Sequence, residues 1–174
     1  MNTKRKQDPR KLAQEVLEAQ GVRTAPVPVE KIAKAMGVQV RFSPLDEELS
    51  GMVFIKEGTP IIGVNSLHHP NRQRFTIAHE LGHVVMHRDL LTSEVHVDKQ
   101  FRVLMRDATA ASGTETIEIE ANKFAAELLL PAFLIDPILT TNTFDIDDQE
   151  PLDRLAKKFK VSRQTLEYKL RALT

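Results

Sequence analysis

The sequence contains no cysteine among its 174 residues. Disulfide frameworks, thiolate metal ligands and cysteine nucleophiles are therefore excluded. A long apolar run at the start is also missing, because Met1–Gln7 carries three basic residues and leads into a charged helix. This start indicates neither a signal peptide nor a transmembrane span. We therefore expect a cytoplasmic protein that does not contact a membrane.

Neither sign of charge is in excess, since 24 lysines and arginines balance 24 aspartates and glutamates. A chain with zero formal charge has no overall field that attracts nucleic acid. The sequence also has no internal repeats and no low-complexity tracts. A length of 174 residues suits one domain, or one domain with a short appendage, and allows a substantial core. These properties are typical of a small soluble enzyme.

The most informative segment is Arg74–His87, which contains the pattern His-Glu-x-x-His at His79, Glu80 and His83. The segment has no proline and is apolar on nearly all sides, which predicts a buried core helix. Residues four apart project from the same face of a helix, about 6 Å apart along its axis. His79 and His83 can therefore share one Zn²⁺ ion. Glu80 is rotated by about 100° from His79, where its carboxylate can take a proton from a water molecule.

Polar side chains inside such a helix need partners, since an unsatisfied buried polar group costs about 1–3 kcal/mol. A metal ion would satisfy both histidines and the glutamate. The alternative is a pair of core histidines hydrogen-bonded to carbonyl groups. Gly82 costs about 1 kcal/mol relative to alanine within a helix. We therefore expect another backbone to approach the helix closely at Gly82.

A catalytic zinc ion takes a third protein ligand and leaves its fourth position for water. His87 is the nearest candidate in sequence. It lies eight residues beyond His79, about 12 Å along the helix axis, which is too far to bind the same tetrahedral ion. We expect His87 to lie behind the ligands or to act as a polar cap at the end of the helix.

Three glutamates of a second helix, over 116–130, are better candidates for the third ligand. Glu120 and Glu127 border one edge of its apolar face, and Glu118 borders the other. Periodicity does not choose among them, and each could instead be a solvated charge at the edge of the helix. Residues expected to point away from this face are Asn122, Lys123 and Ala126. His96 lies in an aperiodic stretch between the two helices, and we expect that stretch near the site.

The two helices together carry a family resemblance. His79–His83, followed by Glu120–Pro131, resembles the ImmA/IrrE family of zinc metallopeptidases. The similarity extends roughly from Leu12 to Leu170 and is sharpest in these two helices. It implies Zn²⁺ as the cofactor, with His79, His83 and Glu120 as its ligands and Glu80 as the general base. The preference for Glu120 over Glu118 comes from the match to Glu-Ala-Asn in the family and not from spacing.

The resemblance also implies a function. A member of this family would be a hydrolase, a zinc-dependent endopeptidase that cuts a protein substrate. The implied substrate is a helix-turn-helix transcriptional repressor, whose cleavage relieves repression in a stress response. The alternative is a regulatory or toxin–antitoxin component that acts by binding a protein without proteolysis.

The remaining pattern predicts two short helices, strands over 38–42, 51–55 and 61–64, the metal helix, and further helices. This is an α+β fold: a zincin-like metallopeptidase domain with a small three-stranded sheet packed on helices, over 1–145. A C-terminal helical segment follows over 146–174. Strand 51–55 is the candidate edge at which an extended peptide would add to the sheet.

The C-terminal segment resembles a helix-turn-helix, in which Ser162 would cap the second helix. Its basic charge suits phosphate contacts, which Arg163 and Lys169 would make. The usual turn glycine is replaced by Lys160, however, and the third helix of such a DNA-binding module is missing. These departures favour packing on the domain or docking of a protein partner over DNA binding.

Overall fold

The computed structural model describes residues 7–91, 96–98, 113–141 and 149–173. Within these ranges the chain forms helices and a four-stranded sheet. In chain order the elements are α1 (Pro9–Ala19), α2 (Val29–Ala35), β1 (Gln39–Ser43), β2 (Gly51–Lys56), β3 (Thr59–Asn65), α3 (Pro70–Met86), α4 (Arg88–Leu91), β4 (His96–Asp98), α5 (Gly113–Leu129), α6 (Ala132–Thr141), α7 (Gln149–Phe159) and α8 (Arg163–Arg171). The predicted α+β class is confirmed.

The sheet has the strand order β1-β3-β2-β4. β1 runs parallel to β3, while β2 is antiparallel to both β3 and β4. Glu57 and Gly58 join β2 to β3 with φ angles of 49° and 79°. Two consecutive residues with positive φ are typical of the tight turn of a two-residue hairpin.

The three predicted strands are present, and β4 is a fourth that the sequence pattern does not show. Its three residues are too few to produce a recognisable alternation. β4 pairs with Gly51, Met52 and Val53 of β2. The expectation that 51–55 offers a free edge to a peptide is therefore wrong for the first half of that strand, because β3 and β4 flank it.

Helix α3 runs through the centre of the molecule, with every residue from Phe75 to Val84 buried. It packs on β2 and β3 and on α5. A Cβ atom added to Gly82 would lie 3.3 Å from the Cα atom of Ala121 and 3.1 Å from Cδ1 of Phe124. The expected close approach of another backbone at Gly82 is confirmed, and that backbone belongs to α5.

Helices α7 and α8 and the turn between them bury seven apolar side chains: Leu152, Leu155, Ala156, Phe159, Val161, Leu166 and Leu170. Lys160, in the turn between them, has a φ of 52°, the left-handed conformation for which glycine is the usual choice. The turn is held against α3, because the Lys160 carbonyl accepts a hydrogen bond from Arg74 Nε at 3.2 Å. Burial lowers the pKa of Arg74, and the nearby Glu30 opposes that shift.

The predicted boundary between 1–145 and 146–174 lies outside the described residues.

Of the helices described, none is long and apolar enough to cross a membrane by itself. Among the described helices, only α5 and α6 taken together have the length and apolar composition of a membrane span, and the chain bends by 64° between them.

Candidate metal centre

Three potential metal donors converge between α3 and α5. The Nε2 atoms of His79 and His83 are 3.1 Å apart. One carboxylate oxygen of Glu118 lies 3.1 Å from His79 Nε2, and the other lies 3.3 Å from His83 Nε2. Both histidines are buried, and the Glu118 side chain is 18% exposed. The site therefore offers two imidazole nitrogens and one carboxylate at the border between core and solvent.

Asn122 determines which ring nitrogen of His79 faces the cluster. Its Oδ1 atom lies 2.8 Å from His79 Nδ1. An amide oxygen only accepts hydrogen bonds, so Nδ1 carries the proton and Nε2 carries a lone pair. In the neutral ring that lone pair faces the Glu118 carboxylate, and two electron-rich atoms 3.1 Å apart repel each other unless a proton or a metal ion lies between them. The chemistry of this donor set fits a metal ion.

The third member of the cluster differs from the expectation based on family resemblance. Glu118, rather than Glu120, lies with His79 and His83. Residues two apart on a helix point about 200° from each other around the axis, so only one of these glutamates can face the two Nε2 atoms. Glu120 instead lies 2.9 Å from Nε2 of His87. The choice depends on how α5 is rotated against α3, which sequence periodicity does not show.

His87 is the C-cap residue of α3, and its backbone N–H donates to the carbonyl of His83. Its ring lies behind the cluster, with Nδ1 at 3.0 Å from Nδ1 of His83. Both nitrogens of His87 are thus directed away from the converging Nε2 atoms. This is the placement expected from its distance along the helix.

Glu127 lies away from the donors. Its buried carboxylate forms an ion pair with the equally buried Lys169 of α8. It also accepts hydrogen bonds from Gln14 Nε2 at 3.3 Å and from the backbone N–H of Ala132 at 3.0 Å. Glu127 therefore links α5 to three other helices. The backbone of His96 pairs with Val53, and the placement of the His96 side chain lies outside the description.

Glu80 is completely buried on α3 and borders the first residue of β2. A Cβ atom at Gly51 would lie 3.8 Å from Glu80 Oε1 and only 2.4 Å from the Thr76 methyl carbon. The absence of a side chain at Gly51 thus lets β2 approach α3 beside Glu80. The strand pattern alone gives no signal for this contact.

Asn122 is the functional residue whose placement the sequence reasoning missed. It was expected to point away from the core together with Ala126, yet both are buried. The reason is that α5 packs on α1 as well as on α3, so its buried face is wider than one apolar stripe. The signal available for Asn122 is its place in the Glu-Ala-Asn match to the family.

Comparison with known proteins agrees with the fold. Residues 33–171 match the family model described as the IrrE N-terminal-like domain. A radiation response metalloprotease IrrE of Deinococcus radiodurans is 33% identical over 141 residues, covering 80% of this chain and 38% of that protein. The protein of the same name from Deinococcus deserti is 40% identical over 81 residues, covering 46% of this chain and 26% of that protein. The chain thus spans between about a quarter and two fifths of the length of these relatives.

An uncharacterized immunity region protein 2 of Bacillus phage phi105 is 29% identical over 118 residues, covering 68% of this chain and 67% of that protein. Among solved structures, a Mycobacterium tuberculosis transcriptional regulator has a TM-score of 0.64 at 20% identity, covering 94% of this chain and 46% of that one. At that identity the likeness shows a shared fold alone. The match over residues 33–171, which includes both helices of the site, shows that the chain belongs to the ImmA/IrrE family of metallopeptidases.

Proposed function

We propose that this protein is a zinc-dependent endopeptidase in which His79, His83 and Glu118 bind the metal and Glu80 is the general base. The observation that carries the proposal is the spacing of the donor atoms. The two histidine Nε2 atoms are 3.1 Å apart, and the Glu118 carboxylate oxygens lie 3.1 Å from that of His79 and 3.3 Å from that of His83. Ligands bound at about 2.0–2.1 Å to one tetrahedral ion stand about 3.3 Å apart. Two histidines and one carboxylate, with a fourth position left for water, are typical of catalytic zinc.

The chemistry follows from the neighbours of these donors. When bound, zinc supplies a Lewis acid that polarises the scissile carbonyl and lowers the pKa of a water molecule toward about 7. The water attacks the carbonyl carbon and gives a proton to Glu80. Glu80 then passes this proton to the amine nitrogen as the C–N bond breaks. The backbone of β2 passes close to the Glu80 carboxylate at Gly51.

For the substrate we propose a helix-turn-helix repressor, cleaved in the cytoplasm after a stress signal. The names of the relatives support this context: two are radiation response metalloproteases and one is a phage immunity region protein. Cleavage of a repressor would connect a stress signal to the release of a repressed gene.

The test compares the wild type with Glu80→Gln, using as probe the purified helix-turn-helix repressor encoded nearest to the gene of this protein. Glutamine has the size of glutamate but does not accept the proton. Peptide-bond cleavage, followed by mass spectrometry of the fragments, should therefore fall by about 10²–10⁴-fold. Zinc content and thermal stability should stay near wild type. Glu18→Gln, at an exposed position of α1, is the matched control and should cleave normally.

Two outcomes would contradict the proposal. If the wild type relieves repression without cutting the repressor, and Glu80→Gln does so equally well, the protein acts by binding. If the wild type neither cuts nor binds that repressor but hydrolyses other polypeptides, the substrate class is wrong and the peptidase activity stands.

A further inference from the structure

We infer that His87 and Glu120 form a positioning pair that fixes the tautomer and the ring orientation of His83. This inference rests on the proposed metal site, since it assigns to these two residues a role in preparing one ligand of that site. It also gives Glu120 a role other than that of a ligand.

The direction of each hydrogen bond follows from the chemistry of the groups. A carboxylate only accepts, so His87 Nε2 donates its proton to Glu120 across 2.9 Å. A neutral imidazole that is protonated at Nε2 has its lone pair at Nδ1. His87 Nδ1 therefore accepts from His83 Nδ1, which is 3.0 Å away. The Nε2 atom of His83 is thereby left with a lone pair directed at His79 and Glu118.

The backbone explains why His87 can reach this position. His87 stands one turn after His83, but as the C-cap it leaves helical geometry, with φ −121° and ψ 25°. Its side chain is 8% exposed and that of Glu120 is 16% exposed. Hydrogen bonds shielded from water in this way hold a ring more firmly than exposed ones. The pair is therefore placed to restrict rotation of the His83 ring.

The two candidate histidine ligands are supported differently. His79 donates to the neutral amide of Asn122, whereas His83 donates to an imidazole that is itself bound to a carboxylate. Support of a metal-binding histidine by a carboxylate fixes the tautomer and raises the basicity of the ligand nitrogen. Because α5 carries both Glu118 and Glu120, docking of this one helix brings the third donor and the support for His83 into place together.

The experiment measures the zinc dissociation constant by chelator competition in the wild type, His87→Phe and His87→Asn. Phenylalanine keeps a planar aromatic ring at this position but accepts no hydrogen bond, so we expect zinc affinity to fall by about 10–100-fold. The Oδ1 atom of asparagine occupies the place of His87 Nδ1 and accepts from His83, so this variant should regain most of the affinity. The visible spectrum of the Co²⁺-substituted protein should change in His87→Phe and return toward wild type in His87→Asn.

A second pair of variants keeps the test decisive if His87→Phe does not fold. Glu120→Ala removes the acceptor for His87 at a partly exposed position, and it should weaken zinc binding by a similar factor while keeping one site. Glu120→Gln retains an oxygen acceptor and should restore much of the affinity. Loss of the site in Glu120→Ala, to the same extent as in Glu118→Ala, would show that Glu120 is a ligand and would overturn the inference.

Failure of the inference is distinguishable from failure of the proposed site. A folded His87→Phe protein with unchanged zinc affinity overturns the positioning role alone. Full zinc binding by His83→Ala, measured in parallel, would instead remove the metal site on which the inference rests.

Discussion

Glu118 and Glu120 differ by two positions in sequence and face entirely different partners. Glu118 reaches the Nε2 atoms of both histidines, whereas Glu120 lies against His87. The rotation of about 200° between positions two apart on a helix makes these roles mutually exclusive. The chemical identity of the two side chains is the same, so their roles depend on position alone.

This difference predicts separate effects on metal content. Glu118→Ala removes one of three donors, so the purified protein should hold much less than the one zinc per chain expected for the wild type. Glu120→Ala leaves the three donors in place and should retain about one zinc at saturating metal. Elemental analysis of both variants, prepared identically, checks this prediction. If Glu120→Ala instead loses zinc while Glu118→Ala retains it, the third ligand is Glu120.

At the scale of elements, the site depends on how closely α3 and α5 approach. Gly82 allows the Cα atom of Ala121 and the ring of Phe124 to lie against the backbone of α3. Since α3 supplies two donors and α5 the third, their separation sets the distances from Glu118 to both histidines. A glycine that is unfavourable for the helix itself is thus favourable for the helix pair.

Gly82→Ala tests this coupling of packing and metal binding. Alanine gains about 1 kcal/mol of helix propensity, but overpacking against backbone and a rigid ring costs about 1–3 kcal/mol and shifts the helices apart. We expect no gain in unfolding free energy, and a loss of up to about 2 kcal/mol, together with weaker zinc binding. Urea unfolding and chelator competition measure the two effects.

Gly63→Ala is the matched control. There the added Cβ atom would meet the flexible Met52 side chain at 3.1 Å, which can move aside. Zinc affinity should stay unchanged. If Gly82→Ala is more stable than wild type and binds zinc equally well, close approach at Gly82 is not what sets the donor distances.

At the scale of the whole molecule, the C-terminal helices share the core of the domain. Lys169 is buried against Glu127, so one of the two residues that DNA binding would need is not available to a phosphate. Arg163 bonds to Asp153 at 2.8 Å and to Glu167 at 2.9 Å, and the hydrogen bond with Asp153 raises its pKa. These contacts favour the structural role of α7 and α8 over the DNA-binding alternative.

We expect Lys169→Met to lower the free energy of unfolding of the entire domain. It leaves the Glu127 charge buried without its cation, which costs about 3–5 kcal/mol when a buried pair is broken. Combining it with Glu127→Gln removes that charge, keeps an acceptor for the Ala132 N–H, and should recover a large part of the loss. Urea unfolding at constant zinc measures both, and exposed Lys157→Met should change stability by less than about 0.5 kcal/mol. A Lys169→Met protein as stable as wild type would show that the buried Lys169–Glu127 pair does not stabilise the domain.

Much of the fold was accessible from the sequence because it depends on near neighbours. Asp8 caps α1 and accepts from the N–H of Arg10, and Pro9 occupies its first turn. Glu57 and Gly58 turn the β2–β3 hairpin. The spacing of His79 and His83 brings two imidazoles to one face of α3, because helix geometry fixes the positions of residues four apart. Local rules of this kind require only the residues within one or two turns.

Features of the site and of the sheet that depend on how two elements pack together are visible only in the tertiary structure. It brought Glu118 rather than Glu120 to the Nε2 atoms of His79 and His83, turned Asn122 toward His79, and placed β4 beside β2. Each outcome depends on the rotation or register of one element relative to another, which is set by non-local packing. The sequence of a helix or strand determines which residues share a face. Which partner each of those residues contacts depends on the side chains of the elements packed against that face.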